Sequence, residues 1–416
     1  MKMKKFISCI TLVVLALVSL FIFASCGTGD ETTENLPAGT TTLYVYNWGE
    51  YMADGSEGSL DVNEAFEEWY YENYGVKVSV NYSTYSSNED LYAKISSGAV
   101  NYDVIIPSDY MIERMISEGL LAPLNKDNIT NFSNIDESFV GDNCDYDPGN
   151  VYSVPYFYGM VGVIYNTEFV DEEDLGSWDL LWNEKYSGNI LQFNNSRDAF
   201  GTAQYYLGYD VNTSTDEQWR EALELLKKQK TIVQGYVMDE IYNKMENGSA
   251  AISTYYAGDF LTMYEENDSL DFYFPAEGTN LYFDSMCIPA ASQNQEIAEA
   301  YINFMLTEEP AVENAMYTYY SSPNKLVMQS EDYIEYVSEI KDNAYELLYG
   351  YTNEIPTSSY RNLPQDKLIL LNDLWEELKI EMNIGSEIYI VCAVVLVGIV
   401  GMAIFFAVRK KYRDSY

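Results

Sequence analysis

The chain has 416 residues, 47% of them hydrophobic, so it can bury a sizeable core, and its length points to two or more globular units. Its 65 acidic against 23 basic residues give a formal net charge of −42, a surface that repels nucleic-acid phosphate and draws in cations. There is no histidine, which excludes Ser-His-Asp and Cys-His mechanisms, histidine-ligated zinc and the usual titrating switch near neutral pH.

Lys2, Lys4 and Lys5 precede an uncharged run from Phe6 to Phe23 and then Ala24-Ser25-Cys26-Gly27, so residues 1–25 read as a secretory leader. Small residues just ahead of a cysteine resemble the bacterial lipobox, which implies that Cys26 is lipidated and becomes the mature N-terminus; Phe23 is an untypical residue at its place in that motif. Residues 26–42 are rich in Gly, Thr and acids, contain Pro37 and lack apolar periodicity, the composition of a flexible linker. The fold is expected to begin at Leu43. From there short β-branched and aromatic runs alternate with amphipathic segments: a strand at Leu43–Tyr46, a helix around Leu60–Tyr74, a strand at Val76–Val80, a helix around Asp90–Ser97 and a strand at Asp103–Ile106. A second set follows, with strands at Val161–Tyr165, Ile190–Phe193 and Ala250–Thr254 and a helix from Thr215 to Lys230 opened by Ser214 and Glu217 as a capping box. Such βα alternation predicts an α/β protein of two lobes.

Ile388 to Val408 is an uncharged, mostly apolar run of 21 residues, about 31 Å as a helix, which matches a bilayer core. Arg409, Lys410, Lys411 and Arg413 follow it, so a C-terminal transmembrane helix over 388–408 is expected to leave 409–416 in the cytoplasm and everything from Cys26 to Glu387 outside. The two ends hold seven of the 23 basic residues and one of the 65 acids, so the stretch between them has a net charge near −48. Most of those carboxylates are a solvated face, screened by salt beyond roughly 8 to 10 Å. Of the five cysteines, Cys9, Cys26 and Cys392 fall in the leader, at the lipidation position and in the span. Cys144 and Cys287 remain; one disulfide is an alternative, but unpaired thiols are expected, since nothing in the spacing requires a bridge.

Six clusters mix aromatic or acidic residues with turn chemistry: Tyr46 to Tyr51, Pro107 to Tyr110, Asn194 to Asp198, Tyr255 to Asp259, Tyr282 to Ser285 and Tyr320 to Asn324. Several sit at strand ends, where α/β folds place ligand sites. Their order, with Leu-Tyr-Val-Tyr-Asn-Trp-Gly-Glu-Tyr at 43–51, Tyr-Ser-Thr-Tyr-Ser-Ser-Asn-Glu at 82–89, Tyr-Asp-Val-Ile-Ile-Pro-Ser at 102–108, Tyr-Ser-Val-Pro-Tyr at 152–156, Phe-Asp-Ser-Met-Cys-Ile-Pro-Ala at 283–290 and Ser-Ser-Pro-Asn at 321–324, resembles the spermidine/putrescine-binding proteins of bacterial ABC transporters. The resemblance spans roughly Leu43 to Lys379. It implies a periplasmic-binding-protein type II fold with the ligand in a cleft, one lobe taking 43–152 with 285–320 and the other 153–284 with 321–383. It also implies a monomer that takes up a polyamine without a cofactor or metal and hands it to an ABC permease and its ATPase, with hinges near 152–153, 284–285 and 320–323.

Carried over, the family's aromatic walls fall on Trp48, Tyr51, Tyr256, Tyr282 and Tyr320, and its amine-binding carboxylates on Glu50, Asp198 and Asp284. Ser108 and Tyr110 match polar contacts, and a last polar position falls near Arg361. Asn195 stands where the family often has aspartate, which brings a two-nitrogen ligand level with a three-nitrogen one, and Tyr256 and Tyr282 stand where it often has tryptophan. Arg197 is expected to pair with Asp198 and orient it. The C-terminal span departs from the family and suggests a receptor fixed to the membrane or a remnant of fusion with a permease. The chemistry suits a string of ammonium groups on methylene spacers, which needs carboxylates at the nitrogen spacing and flat aromatic walls between them, with cation–π contacts of about 0.5 to 2 kcal/mol each. Two alternatives keep a cleft but change its use: a binding protein for a neutral sugar or amino acid, and a surface glycosidase with paired carboxylates.

Overall fold

Alternate burial along the first described strand, with Leu43 and Val45 fully buried and Tyr44 exposed between them, fixes one face of a sheet to the core. A computed structural model of the protein describes residues 39–350 and 355–380. The expected leader 1–25, Cys26, the span 388–408 and the tail 409–416 lie outside the described residues, and among those described no helix is long and apolar enough to cross a membrane.

The first half of the fold runs β1 (Thr41–Trp48), α1 (Val62–Tyr74), β2 (Val78–Tyr85), α2 (Asn88–Ser97), β3 (Val104–Ile105) and α3 (Asp109–Ser117). β1 lies between β2 and β3 and is parallel to both, with Leu43 beside Val80 and Tyr46 beside Ile105. The long β4 (Ser153–Asn166) follows, then β5 (Ile190–Phe193), α4 (Ser196–Tyr206), α5 (Asp216–Lys230), β6 (Val233–Val237), α6 (Glu240–Glu246), β7 (Ile252–Tyr256), α7 (Ala257–Glu266), β8 (Leu270–Tyr273) and β9 (Thr279–Cys287). β5 is parallel to both β6 and β7. The chain then continues through α8 (Gln295–Met305), α9 (Glu308–Thr318), α10 (Lys325–Met328), α11 (Glu331–Ile340), α12 (Ala344–Tyr349), β10 (Thr357–Ser358) and α13 (Gln365–Ile380).

The strand order β2-β1-β3-β9-β4-β7-β5-β6 changes character at the antiparallel pair β4 and β9. On one side stand the parallel strands β1 to β3, on the other the parallel strands β5 to β7, each set covered by its own helices. This is the expected two-lobed α/β architecture. β9 reaches the first lobe where Cys287 pairs with Ile105, and β4 reaches the second where Val161 to Tyr165 pair with β7.

Helix faces follow from spacing. α1 buries Val62, Phe66 and Tyr70 at intervals of four, and α5 buries Trp219, Ala222, Leu223 and Leu226. Burying a side chain such as Phe66 is worth roughly 1.5–3 kcal/mol of transfer free energy. The capping box of α5 is one residue later than expected: the Thr215 hydroxyl accepts from the Gln218 N–H and the Gln218 side chain accepts from the Thr215 N–H. Both frames fit the motif, but the buried Ser214 hydroxyl is spent on the Asp210 carbonyl at 2.7 Å. Cys144 and Cys287 are unpaired and buried in one small core with Tyr46 and Tyr102, and burial pushes the Cys144 thiol up to about 11.

Candidate functional site

Both lobes turn the carboxyl ends of their parallel strands toward one gap, the place where open α/β sheets hold ligands. From the first lobe β1 ends at Trp48, β2 ends at Tyr85, and β3 leads through Ser108 into α3. From the second, β5 leads to Asn195 and Asp198, β6 to Met238 and Asp239, and β7 to Tyr256 and Asp259. β9 crosses between them and presents Asn280, Tyr282 and Asp284, alternate positions of one strand face. Together they line a cavity with ≈ 790 Å³ of non-atom space, its open mouth included.

Local hydrogen bonds hold these side chains. Asn195 caps α4 by accepting from the Asp198 N–H at 2.8 Å, and its amide donates back to Asp198 Oδ2 at 2.8 Å. An aspartate at 195 could make the first bond but would repel Asp198 in place of the second. Tyr256 also donates to Asp198 Oδ2, at 2.9 Å. Ser108 is fixed by Asn88, whose amide nitrogen donates to its hydroxyl at 3.0 Å and whose oxygen accepts from its N–H at 3.1 Å. The Tyr51 phenol donates to Asp284 Oδ2 at 2.6 Å, and its ring stands edge-on to Tyr320 at 4.7 Å and to Phe157 at 5.3 Å. Trp48 leans on Tyr85 at 4.6 Å and Tyr256 meets Tyr282 at 5.1 Å, which gives the cleft aromatic walls on both sides. At Gly49 the lobes come so close that a Cβ would fall 2.9 Å from Asp239 Oδ2.

The lining includes the acidic side chains Glu89, Asp109, Asp198, Asp239, Asp259 and Asp284, and no lysine or arginine among the described residues. Burial raises them. Asp284 is pushed up to about 6, against the pull of the Ser108 hydroxyl and the Tyr51 phenol, with Asp198 adding to the rise. Asp259 is pushed up to about 7 although Tyr242 donates to Oδ1 and Tyr320 to Oδ2. Burial also raises Asp198, against Asn195 and Tyr256, and Glu89, which accepts from the Tyr110 phenol at 3.1 Å. It raises Asp109 well above the usual range, opposed by the Tyr110 and Phe283 N–H groups and reinforced by Asp284. Trp48 Nε1, Asp109 Oδ2, Asn280 Oδ1, Tyr282 Oη and Asp284 Oδ1 are buried without a hydrogen-bond partner among the described residues. An array of raised carboxyls with open acceptor atoms stabilises a cation and penalises an anion.

Trp48, Tyr51, Ser108, Tyr110, Asn195, Asp198, Tyr256, Tyr282, Asp284 and Tyr320 are brought together in this cavity. Glu50 and Arg361 are not. Glu50 takes a left-handed backbone conformation, φ 49, between two residues that enter the cleft, and is itself exposed. Arg361 leaves the cleft to its neighbour Tyr360 and instead forks onto Glu113 of α3, at 2.7 and 3.1 Å, while reaching Asp145 at 2.6 Å. Arg197 also differs from expectation. Its guanidinium donates to the Val211 carbonyl at 3.0 Å and Asn212 Oδ1 at 2.9 Å and lies over the Tyr360 ring, so it acts on Asp198 through its charge rather than as a bonded partner. Glu89, Asp109, Asp259 and Tyr360 were not singled out from the sequence. Glu89 and Asp259 end quoted motifs and Asp109 sits inside one, but the residues that share the cleft with them come from several distant segments of the chain.

The bacterial extracellular solute-binding protein family matches residues 62–339. The chain is 34% identical over 286 residues to the spermidine/putrescine-binding periplasmic protein of Escherichia coli, covering 68% of this chain and 78% of that one. It is 28% identical over 288 residues to the putrescine-binding periplasmic protein SpuD of Pseudomonas aeruginosa, covering 65% and 75%. Among solved structures, the spermidine/putrescine ABC transporter substrate-binding protein PotD of Streptococcus pneumoniae superposes with a TM-score of 0.63 at 33% identity, over 82% of this chain and 99% of that one. The two lobes joined through a shared sheet, and a cleft between their strand ends, are the periplasmic-binding-protein architecture those relatives share. By fold, cleft and sequence alike, the chain belongs to the bacterial extracellular solute-binding protein family.

Proposed function

We propose that the chain is the extracytoplasmic receptor of a polyamine ABC importer, holding putrescine or spermidine between its lobes and passing it to a permease with its ATPase. The observation that carries this reading is the cavity lining: six acidic side chains and a wall of aromatic rings, with no lysine or arginine among the described residues that line it. Charge-assisted hydrogen bonds to the ammonium groups contribute about 1.5–3 kcal/mol each, and the rings hold the methylene spacers. The names of the relatives support the same class of solute. A neutral sugar gains nothing from so many buried carboxyls, and the carboxylate of an amino acid is repelled by them. The glycosidase reading would need two acids flanking a bond, while the family is one of solute-binding proteins.

Closure is a clamshell movement about 152–153, 284–285 and 320–323, the three places where the chain passes between lobe one (43–152 with 285–320) and lobe two (153–284 with 321–383). Pairing of β10 with the start of β9 supports placing 357–358 with the second lobe. The receptor works as a monomer, tethered through Cys26, through the 388–408 span, or through both. Calorimetric titration of the full chain tests the reading. Micromolar or tighter binding of putrescine or spermidine, lost in Asp284→Ala, is expected. No heat with any polyamine and clear heat with sugars would overturn it.

A further inference from the structure

Two of the unpartnered atoms in the cleft belong to neighbouring carboxyls. Asp109 is 1% exposed and Asp284 4% exposed, and both line the cavity. Asp109 Oδ1 accepts from the Tyr110 N–H at 2.7 Å, and Asp284 Oδ2 accepts from the Tyr51 phenol at 2.6 Å. The other oxygen of each, Oδ2 of Asp109 and Oδ1 of Asp284, has no partner at hydrogen-bond geometry among the described residues, although the Phe283 N–H draws on Asp109 and the Ser108 hydroxyl on Asp284. The chain brings the two together: Ser108, the residue before Asp109, forms an antiparallel bridge with Asp284, and the Ser285 N–H donates to the Pro107 carbonyl at 3.1 Å. Elsewhere in the cleft both oxygens of Asp259 are taken by Tyr242 and Tyr320, and Oδ2 of Asp198 by Asn195 and Tyr256.

A buried acceptor left without a donor is costly, and two neighbouring acidic ones are costlier still. A helix cap does not explain Asp109, since Ser108 occupies the cap position of α3 and Asp109 lines the cavity. Asn280 cannot share the same donor, because four residues along β9 separate it from Asp284 by roughly 13 Å. The complement of two open carboxylate oxygens is one group with several N–H donors and a positive charge, which a primary ammonium supplies and a tertiary one does not.

Resting on the polyamine reading above, we propose that Asp109 is a solute-binding residue that forms with Asp284 a two-carboxylate seat for one primary ammonium end of the ligand. The seat adds an acid from the Pro107 to Tyr110 cluster that was not among the expected ligand residues. It makes up for Asn195, whose amide is occupied in orienting Asp198. It also makes this end of the cleft selective for an unsubstituted terminal amine.

The test is a calorimetric comparison of putrescine and its N,N,N′,N′-tetramethyl derivative on the full chain and on Asp109→Asn, with the melting temperature of each unliganded protein. The expected result is putrescine binding weakened about tenfold or more in D109N, methylation costing about tenfold in the unsubstituted chain but little in the variant, and an unliganded melting temperature that does not fall. Equal putrescine affinity in D109N would overturn the seat alone. Equal weakening of both ligands, with a lower melting temperature, would make Asp109 structural and overturn it too. No binding of either diamine by the unsubstituted chain would overturn the polyamine reading and the seat with it.

Discussion

Asp284 sets the direction in which acidity should act on solute binding. Its carboxyl lies at about 6 rather than 3.8, chiefly through burial. The groups that face it are Tyr51 beyond β1, Ser108 and Asp109 at the start of α3, Asp198 on α4 and Tyr282 on β9. A rise of about two pH units means that the charged form costs about 3 kcal/mol in the empty cleft at neutral pH. For the folded protein alone the cost is absent below about pH 4, where the carboxyl is protonated whether folded or not. It grows as pH rises through the interval to about 6 and is complete above that. A bound dication favours the ionised form, so below about pH 6 binding must expel a proton, and this group alone weakens affinity about tenfold per pH unit. The raised carboxyls of Asp198 and Asp109 act in the same direction. Calorimetry with putrescine between about pH 5 and 8, in two buffers of different ionisation heat, reads affinity and proton count together. Affinity that does not change over that range, or protons taken up on binding, would refute the reasoning.

Arg361→Ala removes a guanidinium that ties the 357–361 segment to Glu113 and Asp145 without touching the cavity. Because the groups are partly exposed, the loss should be about 1 kcal/mol, seen as roughly fivefold weaker putrescine binding and less compaction in solution scattering. Unchanged affinity and compaction would count against a role in holding the lobes together. Thr215→Ala deletes the cap of α5 and should cost about 1 kcal/mol, visible as a lower urea midpoint at constant slope, while solute affinity stays the same.

The lobes were legible because each strand and helix carries its own period: Leu43, Val45 and the α5 stripe of Trp219, Leu223 and Leu226 announce their buried faces locally. The cleft was legible where a motif ends or follows a strand, as at Trp48, Ser108 and Tyr256, and where one opens α4 or runs along β9, as at Asp198 and Asp284. What stayed hidden depends on contacts across the chain. Asp259 is an ordinary first-turn acid until Tyr242 and Tyr320 close on it, and the partners of Arg361 lie 248 and 216 residues away. Glu50 lies outside the cavity lining because of a backbone feature that its motif does not announce, the left-handed φ of 49 at that one position. The frame of the α5 cap was ambiguous because two adjacent hydroxyls both satisfy the motif, and only burial beside Asp210 separates them.

The connection between the lobes is a ribbon rather than a pair of slack loops. β4 and β9 remain hydrogen-bonded from Ser153 and Cys287 at one end to Met160 and Leu281 at the other, and the Tyr158 N–H binds the third passage at the Ser321 carbonyl, at 3.0 Å. On the clamshell reading, a swing of one lobe against the other would be absorbed as twist along this ribbon, with the register slip between Pro155 and Phe157 lying opposite the 284–285 passage. If the lobes close as proposed, such a crossing would act as a leaf spring: its amides should resist hydrogen exchange while the lobes move, and its return would favour release of the cargo.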